Sequence, residues 1–385
     1  VSNFTYDAST GQLLTAALPQ LAGGSRPTSA YTYTAGGLVE TATDPEGMVT
    51  RFAYDPATGD MLSLTVDYGR LNLQTSFTYT ALGDMETTTD PRGNTRTFGY
   101  DNLRRVTRIT GPAPFSYVTE RDYDEMDRLT EERRETGDAG NPWQTTSYTY
   151  TPTGKIESLT NPESETVTHT YDEADRLVRI EDQEGRSGER RYDAVGRLKR
   201  VIDGKGLTSR EIAYTENGLE AAETDARGKV TIYGYDGHDR LERVTYPDSS
   251  YEEYTYDDAG NPRFMRARDG RTVERRFDAL DRLSARIIPG SGADSYVYDL
   301  AGRIEDAVSP AGIVHYEYDT AGRPDGVDFP GGRSVGYGFD AAGNKVRVTY
   351  PDSSYIEYVY DEMDRMTDIK DDTGATVAHF ERSEE

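Results

Sequence analysis

The sequence predicts an all-β fold, an array of about 17 β-hairpins of roughly 21 residues each that coil into a spiralling β-sheet ribbon. Three observations carry this. An aromatic residue followed by Asp or Thr and a turn recurs along all 385 residues. Aromatic residues alternate with period two ahead of it, as in Tyr254-Thr255-Tyr256 and Tyr316-Glu317-Tyr318, which places both rings on one face of a strand. No run of ten or more residues shows a capped 3.6-residue apolar period.

The aromatic anchors are Tyr6, Tyr33, Tyr54, Tyr79, Tyr100, Tyr123, Tyr150, Tyr171, Tyr192, Tyr214, Tyr235, Tyr256, Phe277, Tyr298, Tyr318, Phe339 and Tyr360. Ten of the 16 intervals are 21 residues, and from Tyr150 onward all lie between 20 and 22. Intervals of up to 27 residues cluster in the first half, which predicts loop insertions there. The chain therefore reads as a single array over residues 1–385. Residues 1–149 hold the less regular repeats, 150–365 the regular ones, and 366–385 a polar C-terminal tail. Val1 opens the chain in mid-repeat, without an initiator Met or an apolar leader, so the sequence is expected to be a piece of a longer protein. One cassette recurs almost unchanged, Val244 to Tyr251 and Val348 to Tyr355, as block duplication of repeats would leave it.

After each anchor comes a turn of the form Asp-x-x-Gly: Asp193 to Gly196, Asp257 to Gly260, Asp299 to Gly302, Asp319 to Gly322. The Asp carboxylate caps the turn, and the Gly accepts the left-handed conformation that sends the second strand back antiparallel. Where Gly is missing, Asp175, Asp239, Asp281 and Asp364 stand in, Asp being one of the few residues that tolerate positive φ. Arg-Leu-x-x-Val/Ile follows, as at Arg240 to Val244, and then a second turn, Asp44-Pro45-Glu46-Gly47 or Asp90-Pro91-Arg92-Gly93. Seventeen hairpins make about 34 strands, on the order of 160 Å of ribbon at ~4.8 Å per strand, and so long a twisted sheet must curl. The tyrosines are expected to stack in ladders along one face.

Composition narrows the function. Net charge is −26, from 43 Lys+Arg and 69 Asp+Glu, so the surface repels nucleic-acid backbones. Mean hydropathy is low at −0.78, which alone would read as disorder, but 29 Tyr, 10 Phe and one Trp are too many rings for a disordered chain. No apolar run approaches a membrane span. With no Cys there is neither disulfide nor thiolate chemistry.

The repeat resembles the YD-repeat, or Rhs-repeat, family, here Tyr296-Val297-Tyr298-Asp299-Leu300-Ala301-Gly302-Arg303-Ile304 and again Tyr316 to Arg323. The family includes bacterial Rhs polymorphic toxins, C components of insecticidal toxin complexes, and animal teneurins. The resemblance covers essentially the whole chain. It implies a spiral β-sheet enclosing a hollow shell, a non-enzymatic structural module that encapsulates or scaffolds a partner or C-terminal toxin polypeptide. It further implies a secreted or cell-surface location. The alternative is an adhesion module binding cell-surface glycan or protein through its outer face. Family members with a payload end in a core-associated segment with an Asp-Pro-x-Gly-like cleavage site; Asp44-Pro45 and Asp90-Pro91 are in-phase turn residues and are not given that role.

No catalytic or cofactor site is expected. His169, His238, His315 and His379 have no metal-ligand spacing, and no nucleophile elbow is present. Asp follows the anchor in 13 of 17 repeats, so it serves the turn and not a single chemical step. The post-turn arginines (Arg105, Arg128, Arg176, Arg197, Arg240, Arg282, Arg303, Arg323, Arg365) are expected to pair with those carboxylates between repeats. Structural calcium on the Asp-rich turns is the most defensible ligand, although no EF-hand loop appears, and glycan stacking on the aromatic rows is the second.

Overall fold

In the computed structural model, which describes residues 1–21 and 23–380, every regular element is a β-strand. Thirty-five strands form one sheet. Each pairs antiparallel with the strand before it and the strand after it, and the first and last do not pair with each other, so the meander is open. Strands touch only their sequence neighbours. Among the described residues no second sheet packs on either face, and the wall is one layer thick.

The local chemistry explains each hairpin. In the turn after Tyr298, Gly302 has φ +92°, and the Asp stand-ins hold left-handed values as well: Asp175 57°, Asp239 61°, Asp281 58°, Asp364 61°. The turn Asp accepts two backbone N–H bonds on one oxygen. Asp236 Oδ1, for example, takes His238 N at 2.9 Å and Arg240 N at 3.0 Å. These amides would otherwise be unpaired at the tip.

Every hairpin also carries a bulge beside its anchor. Tyr233 faces Val244, Gly234 faces Arg243, and Tyr235 faces Leu241, so Glu242 has no opposite residue. The same slip recurs at Tyr256, Tyr298, Tyr318 and Tyr360. One extra residue between Leu241 and Val244 puts both on the face of Tyr233 and Tyr235, which accounts for an apolar spacing of three inside a period-two strand. A bulge also bends and over-twists its strand. Repeated once per hairpin on the same strand, it curls the ribbon uniformly.

One face carries Tyr254, Tyr256 and Val244; the opposite face carries polar residues such as the hydrogen-bonded pairs Thr32–Thr41 (2.6 Å) and Thr78–Thr87 (2.7 Å). Burial on the aromatic face is shallow. Ile212 (3% exposed), Val244 (6%) and Val327 (9%) are among the few buried apolar side chains, and most rings are half-buried. Residues 366–371 and 376–379, grouped with a polar tail on sequence grounds, are strands Met366–Asp371 and Thr376–His379 of the same sheet. They belong there because Ile369 and Ala378 continue the apolar row of that face and lie directly opposite each other. Residues 381–385 lie outside the described residues.

Candidate functional site

The repeated unit is a three-part clasp. Asp236 Oδ2 accepts the Arg240 guanidinium at 2.7 Å. That guanidinium lies over the next anchor, Tyr256, 4.3 Å from its centroid. The Tyr256 hydroxyl donates to the Leu241 carbonyl at 2.7 Å. Arg176 over Tyr192, Arg197 over Tyr214, Arg282 over Tyr298 and Arg303 over Tyr318 repeat the stack at 4.3–4.9 Å. In these repeats rings therefore alternate with guanidinium groups, and among the described residues the expected ring-on-ring ladder does not form; Phe115 and Tyr117 stack on each other, with centroids 5.6 Å apart. The reason is spacing. Adjacent anchors are two strands, roughly 10 Å, apart, too far for rings to touch and about right for a planar cation between them. The arginines pair chiefly with the Asp four residues earlier in their own repeat and reach the next repeat through its ring.

Electrostatics follow the clasp. The Arg240 guanidinium hydrogen bond, then the turn amides, hold Asp236 down to about 2. Asp172 and Asp124 are lowered for the same first cause, bonds from Arg176 and Arg128. Burial pushes the Tyr256 hydroxyl up. Tyr254 is pushed up to about 12, first by burial and then by its 2.8 Å bond to Glu252. His315 is raised by the Asp306 carboxylate opposite it at 2.7 Å. His238 sits in an exposed turn and His169 at the aromatic position before Tyr171; His379 pairs with Asp368 at 2.8 Å. Among the described residues no cluster of His, Asp or Glu is placed to hold a metal ion.

What the sequence did not reveal is where the coil meets itself. The ribbon has two edges, one formed by the anchor turns and the other by the second turns. Four consecutive second turns touch anchor turns about twelve repeats later. Glu46 Oε1 accepts the Leu300 amide at 2.6 Å, across 254 residues of sequence. Buried Asp67 accepts the Thr320 hydroxyl, 253 residues away. Arg92 reaches Asp364 Oδ1 at 2.8 Å and the Asp361 carbonyl at 2.9 Å. Phe115 receives the Arg365 guanidinium 5.1 Å from its centroid. A cavity of about 160 Å³, lined by Glu46, Arg70, Arg303 and Thr320 among others, lies along this seam. Two of the irregular insertions, 67–72 and 111–117, are two of these four seam turns. Twelve hairpins, or 24 strands, complete one turn; at ~4.8 Å per strand the circumference is on the order of 115 Å and the diameter nearly 40 Å.

Residues 179–328 match the family described as Teneurin YD-shell, and residues 79–114 match the RHS repeat. Those two stretches are YD/RHS repeats. The whole chain is also similar to solved chains. It superposes on the TcdB2-TccC3 crystal structure with a TM-score of 0.77 at 14% identity, covering 95% of this chain and 23% of that one. The TcdB2-TccC3-TEV structure gives 0.77 at 12% identity, with 98% and 23% covered. The TcdB2-TccC3-Cdc42 structure gives 0.75 at 13%, with 93% and 23% covered. The array thus spans under a quarter of the length of these chains and shares their fold. No curated protein matches it in sequence.

Proposed function

We propose that the YD array is a section of shell wall that encloses a partner polypeptide, with no catalytic role of its own. The observation that carries this is the seam: the ribbon turns through a full circle and its edges dock turn against turn, which makes a wall with an inside. Strands that touch only their neighbours leave that inside unfilled by the array itself. The TcdB2-TccC3 structures support the reading through their shared fold, and the Teneurin YD-shell match supports it through sequence. The location proposed with this reading is outside the cell or at its surface, and it rests on the Teneurin YD-shell match.

Nothing in the clasp favours glycan adhesion. Sugar stacking needs bare ring faces, and Tyr150, Tyr192, Tyr214, Tyr256, Tyr298, Tyr318 and Phe339 each lie under a guanidinium group. Protease protection tests enclosure. In the full-length protein, the enclosed polypeptide should resist a protease that digests it when free; equal rates of cleavage would refute the reading.

A further inference from the structure

We infer that the seam is a lock on register: Asp67, Arg92 and Phe115 match Thr320, Asp364 and Arg365 in one alignment of the coil and in no neighbouring one. The lock sets how many hairpins make a turn. It goes beyond enclosure and holds whether or not a polypeptide lies inside.

Buried charge makes the alignment matter. Asp67 has no exposed surface. Its Oδ2 accepts the Thr320 hydroxyl and, at 3.2 Å, the Leu71 amide. Its Oδ1 has no hydrogen bond, and the Arg70 guanidinium stands 3.8 Å away. A carboxylate taken out of water with so few partners depends on each of them. Thr320 is the single Ser or Thr at the second position of the 17 anchor turns. After a slip of one hairpin Asp67 would face Leu300 in one direction and Ala341 in the other, and neither side chain carries a donor.

Arg92 is keyed in the same way. Its guanidinium enters a recess built from Asp364 Oδ1 (2.8 Å), the Asp361 carbonyl (2.9 Å) and Asp340 Oδ2 (3.6 Å). One hairpin back, the matching carbonyl of Asp340 is already taken by Arg323 at 2.8 Å. Ahead of Asp361 the place of Arg323 is held by Asn344. Its shorter amide donates to Asp340 Oδ2 (3.0 Å) and Asp364 Oδ1 (2.6 Å) and leaves the Asp361 carbonyl to Arg92. Slipped back, Arg92 would meet the filled carbonyl and Gly343, which has no carboxylate to replace Asp364. Phe115 would meet Asn344 and lose the Arg365 guanidinium that lies 5.1 Å from its centroid.

Three contacts therefore fail together on a slip back, and Asp67 is stranded in either direction. Stranded charge separates two alternatives more sharply than lost cohesion does. The repeats are otherwise alike, so a uniform edge would specify its register weakly. Each hairpin gained or lost per turn changes the circumference by ~10 Å, so the lock also sets the bore.

The test uses the full chain and three swaps between adjacent repeats, which leave composition and charge unchanged: Leu300→Thr with Thr320→Leu, Arg323→Asn with Asn344→Arg, and Gly343→Asp with Asp364→Gly. Together they move the lock back by one hairpin. Spin labels are read as two pairs, Leu71 with Ala301 and Leu71 with Lys345, all exposed positions. The first distance should shorten and the second lengthen, each distribution staying single; parent distances in the swapped chain would overturn the lock. A milder variant, Thr320→Ala with Asn344→Arg, covers the case in which the swapped chain does not fold. It should split both distributions into populations one hairpin, ~10 Å, apart. Distributions as single and as centred as the parent's would overturn the lock. So would labels tens of Å apart with no population one hairpin away, the result for residues that only hold the coil closed.

Discussion

Arg92 and Asp364 are 272 residues apart in sequence and 2.8 Å apart in space. That pair, with the Asp361 carbonyl, fixes one coil of the ribbon over the next. Arg92 is about one-fifth exposed and Asp364 nearly one-half, so solvent screens the bond. Arg92→Ala should cost about 1 kcal/mol of stability. Its larger effect should be local, with faster hydrogen exchange at 90–94 and 361–365 and little change at Tyr171 or Tyr192. Asn344→Arg should do the same by displacing Arg92 from its recess.

The clasp predicts a graded response at one anchor. Tyr256→Phe keeps the ring under Arg240 and loses the hydroxyl bond to Leu241, at about 1 kcal/mol. Tyr256→Ala also removes a half-buried ring and should cost about 2–3 kcal/mol, short of the value for full burial. Denaturant midpoints for the two variants and the parent settle the order; equal midpoints would show that the clasp does not contribute.

Gly302 has φ +92°, and a Cβ there would make only an ordinary 3.7 Å contact with Arg282. Strain, not crowding, therefore decides the outcome. Gly302→Val should destabilise by about 1–2 kcal/mol, whereas Gly302→Asp, the residue used at Asp281 and Asp364, should cost less. Thermal melts of both variants test this ordering.

Acid should loosen the array through its turn carboxylates. Asp236 sits at about 2 in the folded chain against an ordinary 3.8. A carboxyl depressed by folding stabilises fully above its unfolded value and stops doing so as pH falls through its folded one. Stability should therefore decline between about pH 4 and pH 2, and Asp236→Asn should flatten part of that decline. His315 has the opposite sign. Asp306 raises it above 6.5, so its contribution is present below 6.5 and is lost as pH rises through the folded value. Melting temperature against pH should show both limbs, with the upper one absent in His315→Gln.

The hairpins were legible because each depends on chemistry within some 21 residues. Anchors, capping Asp and left-handed Gly all act on near neighbours. The bulge was written in the spacing of Leu241 and Val244, which a flat period-two strand cannot accommodate, but it takes the paired register to show which residue is extra. The preference for Tyr over Phe at the anchors reflects the carbonyl bond, invisible without the neighbouring strand. The ladder was misread because strand spacing, not ring composition, sets what can touch. The seam was beyond reach: Glu46 with Leu300 and Asp67 with Thr320 are single contacts across 254 and 253 residues, with no local pattern to mark them. The insertions at 67–72 and 111–117 were visible as irregular intervals; their role as seam turns was not.

Because the chain has no Cys, a pair of introduced ones can be spin-labelled cleanly at Leu71 and Ala301, exposed positions one repeat apart across the seam. A single narrow distance distribution below about 30 Å is predicted, since neighbouring hairpins are about 10 Å apart. An uncoiled ribbon would separate those labels by on the order of 100 Å, and loss of the short-distance signal would contradict the account.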